Sequence, residues 1–112
     1  MAVAEDFTIE EKEEQERMVL ESVDRFLERD VEPFAHDLEA DDTYPQEIVD
    51  KMVDMGLFGA TIGMEYGGLG LSVSTYAKIV ERVSTVWMSV SGIFNSHLIM
   101  AAAVERSGTE EQ

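Results

Sequence analysis

Apolar residues recur at helical spacing through the first third of the chain. Successive members are three or four residues apart: Leu20, Val23, Leu27, Val31, Phe34 and Leu38. Charged residues occupy the positions between them, which is the pattern of an amphipathic helix. We predict one helix near residues 9–38, kinked one turn before Pro33 because the proline ring crowds the carbonyl of Arg29.

A second helix is predicted near residues 45–55. Pro45 suits a first helical position, and Thr43 and Gln46 have the spacing of a capping box. Gly56 is expected to end the helix in a left-handed conformation.

A third helix, near residues 72–86, is predicted to begin at a Ser72 cap. Its apolar positions are Val73, Tyr76, Ala77, Val80 and Val83. A fourth is predicted near residues 87–107. Residues 83–104 carry no formal charge, which by length would allow a membrane span. Polar residues in the middle of this segment and the absence of a basic flank disfavour a span, so we predict a helix buried on nearly all sides.

No alternating strand pattern of useful length is present, so the predicted fold is all-α. We expect a single domain over residues 1–112, because this length supports one modest core. The helices are expected to pack around five side chains: Leu27, Phe34, Met52, Tyr76 and Phe94.

The formal net charge is −16, and it is unevenly distributed. Residues 1–56 hold 19 acids and 5 bases, whereas residues 57–112 hold 5 acids and 3 bases. Nucleic acid and anionic membranes would repel such a chain. Two interpretations remain open: an ordinary solvated acidic face and a halophilic adaptation to high salt. Residues 1–12 show no leader pattern and cysteine is absent, so a cytoplasmic location is expected.

Composition and spacing identify no catalytic, metal-binding or cofactor-binding group. The glycines of residues 67–70 lack the preceding strand and the spacing of a nucleotide-binding loop, and turns explain them better. His97 has no acidic or histidine neighbours at metal spacing, so we predict a structural hydrogen bond for it.

Five residues of the uncharged segment share one side of a helix. Ser84, Met88, Ser91, Asn95 and Leu98 fall within about 80° of arc. Polar groups inside an uncharged helix must be satisfied. Contacts with neighbouring helices and the lining of a cavity both remain open on this ground.

Two separated motifs resemble the acyl-CoA dehydrogenase family over nearly the whole chain. Residues 56–62 (GLFGATI) and 65–70 (EYGGLG) resemble its signature loop, and residues 107–112 (SGTEEQ) resemble the stretch that precedes its β-domain. The family's usual Pro-Glu at the start of the loop is replaced here by Gly63 and Met64. Glycine loosens a turn that proline would fix, which puts the rigidity of the loop in doubt.

The resemblance implies the N-terminal helical domain of an FAD-dependent oxidoreductase, without the β-domain and the C-terminal four-helix bundle. Such enzymes of fatty acid metabolism oxidise the α–β bond of acyl-CoA thioesters and pass electrons to an electron-transfer flavoprotein. A homo-oligomer is also expected. The catalytic glutamate and most FAD contacts would lie in the later domains, so this part alone is expected to be inactive. The resemblance places Ser91, Asn95 and Ile99 on one wall of the acyl cavity, with Met88 and Leu98 close by.

Two alternatives stay open beside this interpretation. A stand-alone acidic helical module could dock its uncharged helix into a partner protein. Flavin oxidases and monooxygenases share the fold with a different reaction.

Overall fold

The computed structural model describes residues 7–112, which form helices and turns without a strand. The first six residues of the predicted domain, within the segment that shows no leader pattern, lie outside this range. The elements are α1 (Ile9–Phe26), a π-helical turn (Leu27–Val31), α2 (Glu32–Ala40), α3 (Gln46–Asp54) and α4 (Val73–Ser107). Two 3-10 turns, Leu57–Gly59 and Met64–Tyr66, lie between α3 and α4. The predicted all-α fold is confirmed.

The capping box lies at α1 and not at α3. The Thr8 hydroxyl accepts from the Glu11 amide at 3.1 Å, and the Glu11 carboxylate accepts from the Thr8 amide at 2.8 Å. At α3 the box predicted for Thr43 and Gln46 is wrong. The helix begins at Gln46, one residue after Pro45, and no side chain caps it.

The predicted kink before Pro33 takes the form of a π-helical turn. The amide of Glu32 donates to the carbonyl of Leu27, five residues back, so the turn holds one residue more than an α-helical turn would. The apolar face is therefore rotated beyond the turn, so that Ala35 is buried and Phe34 is 53% exposed. The prediction that Phe34 lies in the core is wrong for this reason.

Helix α4 begins as predicted, with the Ser72 hydroxyl accepting from the Thr75 amide at 3.1 Å. Val83 is buried as predicted, but the rotation of the first turns differs from the prediction, because Thr75 and Ile79 are buried while Val73 is exposed. A polar contact with α1 holds this rotation: the Thr75 hydroxyl donates to Glu16 at 2.6 Å.

A break at Trp87 divides α4 where the sequence predicts a boundary between two helices. Trp87 has φ −158° and ψ 100°, which is extended backbone. Its indole Nε1 donates to the Glu39 carboxylate of α2 at 2.6 Å. The second half of α4 is thereby anchored at its start.

The largest fully buried side chains come from α1, the π-helical turn, α3, the first 3-10 turn and α4. They are Phe94, Met52, Leu57, Ile79, Val23, Val31, Val83 and Val90. Of the predicted core centres, Leu27, Met52 and Phe94 are buried, and Tyr76 packs partly buried against them.

The glycine-rich loop folds as turns, as the sequence predicts. Gly56 ends α3 at φ +82°. A Cβ on Gly68 would lie 2.1 Å from the Ile62 carbonyl oxygen, so the loop closes only with glycine there. Gly63 keeps an amide hydrogen that proline lacks, and this amide donates to Glu105 of α4 at 2.7 Å. The departure from the family's proline is thus matched by a bond that restrains the loop.

Candidate functional site

An exposed stripe runs along the second half of α4. Met88, Gly92, Asn95 and Ile99 fall within about 60° of arc at 100° per residue. Met88 is 73% exposed and Ile99 is 66% exposed. The prediction that this helix is buried on nearly all sides is therefore wrong within the described residues. Helix α4 is long and apolar enough to cross a membrane, a test that a core helix also passes.

The stripe is open surface and not a closed pocket. Clefts of about 540 Å³ and 340 Å³ lie elsewhere, the first between α2 and α3 and the second at the C-terminal end of α4. A ligand on the stripe would therefore need a second wall that residues 7–112 do not provide.

Asn95 is held at the edge of the stripe by a phenol. The Tyr76 hydroxyl donates to Asn95 Oδ1 at 2.5 Å. Burial raises the pKa of Tyr76, so the phenol stays protonated and remains a donor. The Tyr76 and Phe94 rings meet in a T-shaped arrangement, with centroids 6.2 Å apart. Asn95 is half-buried, and the Tyr76 hydroxyl orients its amide.

Ser91 is satisfied inside the domain. It is 6% exposed, and its hydroxyl donates to the Met88 carbonyl at 2.7 Å while accepting from Ser84 at 2.9 Å. Leu98 is also buried, in the core. The five predicted cavity residues are therefore divided: Met88, Asn95 and Ile99 reach the surface, and Ser91 and Leu98 lie beneath it. Contact between these residues and a substrate stays a prediction.

His97 does not make the structural hydrogen bond predicted for it. The side chain is exposed, and its ring meets that of Phe58 edge-on, with centroids 5.2 Å apart. Among residues 7–112, no three histidine, aspartate or glutamate side chains are grouped as a metal site.

Asp30 is a buried carboxylate that the sequence patterns did not predict. Asp30 lies in the π-helical turn, where its two oxygens accept from Arg29 and from Lys51 of α3, each at 2.9 Å. These bonds lower the pKa of Asp30, so the buried group stays ionised. The isolation of Lys51, the one base between Arg29 and Lys78 in an acidic chain, is the signal that could have suggested the pair.

The two motifs that carry the family resemblance meet in space. The Tyr66 hydroxyl of the signature loop donates to Glu110 of the C-terminal motif at 3.0 Å. Together with the bond from Gly63 to Glu105, this contact fastens the loop to the end of α4.

Comparison with known proteins supports the family resemblance. The family model "Acyl-CoA dehydrogenase, N-terminal domain" matches residues 13–112. Short-chain specific acyl-CoA dehydrogenase of Clostridium acetobutylicum is 33% identical over 96% of this chain and 28% of its own length. (2S)-Methylsuccinyl-CoA dehydrogenase of Cereibacter sphaeroides is 33% identical over 89% of this chain and 18% of its own length.

The 3-(aryl)acrylate reductase of Clostridium sporogenes is likewise 33% identical, over 88% of this chain and 26% of its own length. No solved structure gives a significant match. The chain belongs to the acyl-CoA dehydrogenase family, in its N-terminal helical domain. It spans between about a fifth and somewhat over a quarter of these three relatives.

Proposed function

We propose that this domain forms one wall of the acyl-binding cavity in a complete FAD-dependent acyl-CoA dehydrogenase. The reaction is the α,β-oxidation of an acyl-CoA thioester, with an electron-transfer flavoprotein as acceptor. The enzyme would be a cytoplasmic homo-oligomer. One observation carries the proposal: the second half of α4 presents an uncharged, exposed stripe in a domain that is otherwise strongly acidic.

The chemistry of the stripe suits an acyl chain. Burying a side chain such as Met88 or Ile99 completely against a ligand is worth about 1.5–3 kcal/mol each. No formal charge lies within residues 83–104, so the stripe suits the apolar chain and not the phosphates of coenzyme A. Asn95 adds one polar position, which favours a short, branched or polar acyl group. The names of two relatives, short-chain specific and methylsuccinyl-CoA dehydrogenase, support such a group.

The described residues do not fit FAD. The pyrophosphate of FAD is anionic, and the chain has a net charge of −16. Its glycine-rich loop spends its amides on its own carbonyls and on Glu105. We therefore assign FAD and the catalytic base to other parts of the complete enzyme, and no chemical step to this chain.

The two alternatives have weaker support. A stand-alone module that docks α4 into a partner would also present an exposed stripe, so the exposure does not separate it from the proposal; the family match over residues 13–112 favours the enzyme. The relatives named above are dehydrogenases and a reductase, which favours chemistry on a carbon–carbon bond over an oxidase or monooxygenase.

A larger side chain on the stripe tests the proposal. In the complete enzyme, Ile99→Phe should shorten the cavity and shift the optimum of kcat/KM toward shorter acyl chains, with a roughly tenfold or greater loss for the longest substrates. Val73→Phe is the matched control, because Val73 is also exposed on α4 but lies at its other end. An unchanged chain-length profile for Ile99→Phe would remove this face from the cavity.

A further inference from the structure

The amide of Asn95 has hydrogen-bonding capacity that the domain does not use. A primary amide offers two acceptor positions on Oδ1 and two donors on Nδ2. Tyr76 occupies one position on Oδ1, and among residues 7–112 no group accepts from Nδ2. No buried side-chain nitrogen or oxygen of these residues lacks a partner, so Nδ2 is reached from solvent. Ser91 is different, because its hydroxyl already has two hydrogen-bond partners within the domain, the Met88 carbonyl and the Ser84 hydroxyl.

Tyr76 also fixes which way the amide faces. Oδ1 and Nδ2 diverge from one carbon, so a bond from the partly buried Tyr76 phenol to Oδ1 turns Nδ2 away from the phenol. A donor held in this way discriminates more strongly than a mobile donor between ligands with and without an acceptor in its path, since its direction is set before a ligand binds.

Gly92 provides space beside this donor. It lies one turn before Asn95 on the same stripe, and a Cβ built on Gly92 meets no atom within 4 Å. Glycine inside a helix is less favourable than alanine by about 1 kcal/mol. Nothing within the domain therefore requires glycine there, although the helix is weaker for it.

We propose that Gly92 and Asn95 form a subsite for an acyl group that carries a hydrogen-bond acceptor oxygen beyond the thioester. Nδ2 of Asn95 donates to that oxygen, Gly92 gives room for the substituent that bears it, and Tyr76 is the positioning residue for the amide. This inference rests on the proposed function, because it names the acyl class that the wall selects.

The test compares two substrates of equal size in the complete enzyme. The first, 4-oxopentanoyl-CoA, carries an acceptor oxygen where the second, 4-methylpentanoyl-CoA, carries a methyl group. Asn95→Leu should lower the kcat/KM for 4-oxopentanoyl-CoA relative to that for 4-methylpentanoyl-CoA about 10- to 100-fold, because the site loses its hydrogen bond to the acceptor oxygen. Ser89→Leu, an exposed position elsewhere on α4, is the matched control and should change the ratio less than threefold.

Tyr76→Phe tests the positioning role through a double-mutant cycle. Alone, it should lower the same ratio about 3- to 10-fold, because the amide loses its restraint. In the Asn95→Leu background it should lower the ratio no further. An equal effect in both backgrounds would overturn the role of Tyr76, since a general structural effect does not depend on Asn95.

Gly92→Ala separates stability from selectivity. In the 112-residue chain it should raise the melting temperature by about 3–6 °C, because alanine favours the helix. In the complete enzyme it should lower kcat/KM for 4-methylpentanoyl-CoA relative to pentanoyl-CoA about 3- to 10-fold, because the added methyl group fills the space. A rise in melting temperature with an unchanged ratio would overturn the role of Gly92.

The outcomes for Asn95 also separate this inference from the proposed function. A loss of activity that is equal for the two substrates would keep Asn95 on the wall but overturn the selectivity. Unchanged kcat/KM for every acyl-CoA in both Asn95→Leu and Gly92→Ala would overturn the wall and the subsite together.

Discussion

The bond between Glu39 and Trp87 should be measurable, because it joins α2 to the break in α4. Glu39→Leu removes the only acceptor that the described residues offer the indole, whose Nε1 lies 2.6 Å from the carboxylate. A hydrogen bond to a charged group contributes about 1.5–3 kcal/mol, and the exposure of Glu39 places this one near the lower end. We expect a loss of about 1.5 kcal/mol in the free energy of unfolding.

That loss is large for a domain of this size. The total free energy of unfolding of such a domain is about 5–15 kcal/mol. With a urea dependence of about 1.5–2 kcal/mol per molar, the unfolding midpoint should fall by about 0.8–1 M. Trp87 is the chain's single tryptophan, so its fluorescence reports both the midpoint and the exposure of the indole in the native state.

Two further variants decide the cause. Asp37→Leu removes one negative charge from another exposed position of α2 and should leave the midpoint nearly unchanged. Glu39→Gln keeps an acceptor oxygen and should recover at least half of the loss. Equal midpoints for Glu39→Leu and Asp37→Leu, or no recovery in Glu39→Gln, would refute the assignment of stability to this bond.

Three other outcomes are expected of the 112-residue chain. Bonds from Lys78 and Thr75 lower the pKa of Glu16 below its ordinary value of 4.5, so its contribution is complete above that pH and is lost as pH falls through the lowered value. As pH is lowered, the free energy of unfolding of the wild type should therefore fall more than that of Glu16→Gln. Glu13→Gln is the control and should behave as the wild type does. Coincident curves of unfolding free energy against pH for the wild type and Glu16→Gln would contradict this. Molar KCl should raise the melting temperature more than sucrose does, because it shortens the screening length from about 10 Å at 0.1 M to about 3 Å, and an equal rise would contradict a halophilic adaptation. The purified chain should show no visible flavin absorbance, because its charge repels the pyrophosphate of FAD, and stoichiometric flavin would contradict the assignment of FAD to other domains.

The helices could be predicted because their signals are local. Apolar spacing identified the long first helix, Ser72 identified the start of α4, and Gly56 identified the end of α3. What could not be predicted is the rotation of the helices about their own axes. Phe34 and Ala35 are both plausible inward residues by spacing, and the extra residue of the π-helical turn decides between them.

The rotation of α4 also depends on contacts between residues far apart in the sequence, which apolar spacing does not contain. The contact between Glu16 and Thr75 joins residues 59 positions apart and fits the rotation in which Val73 is exposed. For the candidate site, spacing placed Met88 and Asn95 on one side of a helix and the family resemblance added Ile99; all three reach the surface in the structure. Spacing could not separate the buried Ser91 from the half-buried Asn95, because that difference depends on which other parts of the domain cover each position.

The prediction that the second half of α4 is buried on nearly all sides was wrong for another reason, and that reason bears on the function. A stretch free of charge over residues 83–104 indicates burial in whatever protein the sequence is adapted to, since charged residues are depleted from buried surfaces. Exposure in the structure is measured against residues 7–112 alone, and the relatives are more than three times as long as this chain. Pattern and structure agree if the exposed stripe is covered by other parts of a longer enzyme and by the acyl chain between them. The disagreement includes the stripe that contains Met88, Asn95 and Ile99, which is where the proposed function requires a second wall, and it extends to the neighbouring Met100 and to His97.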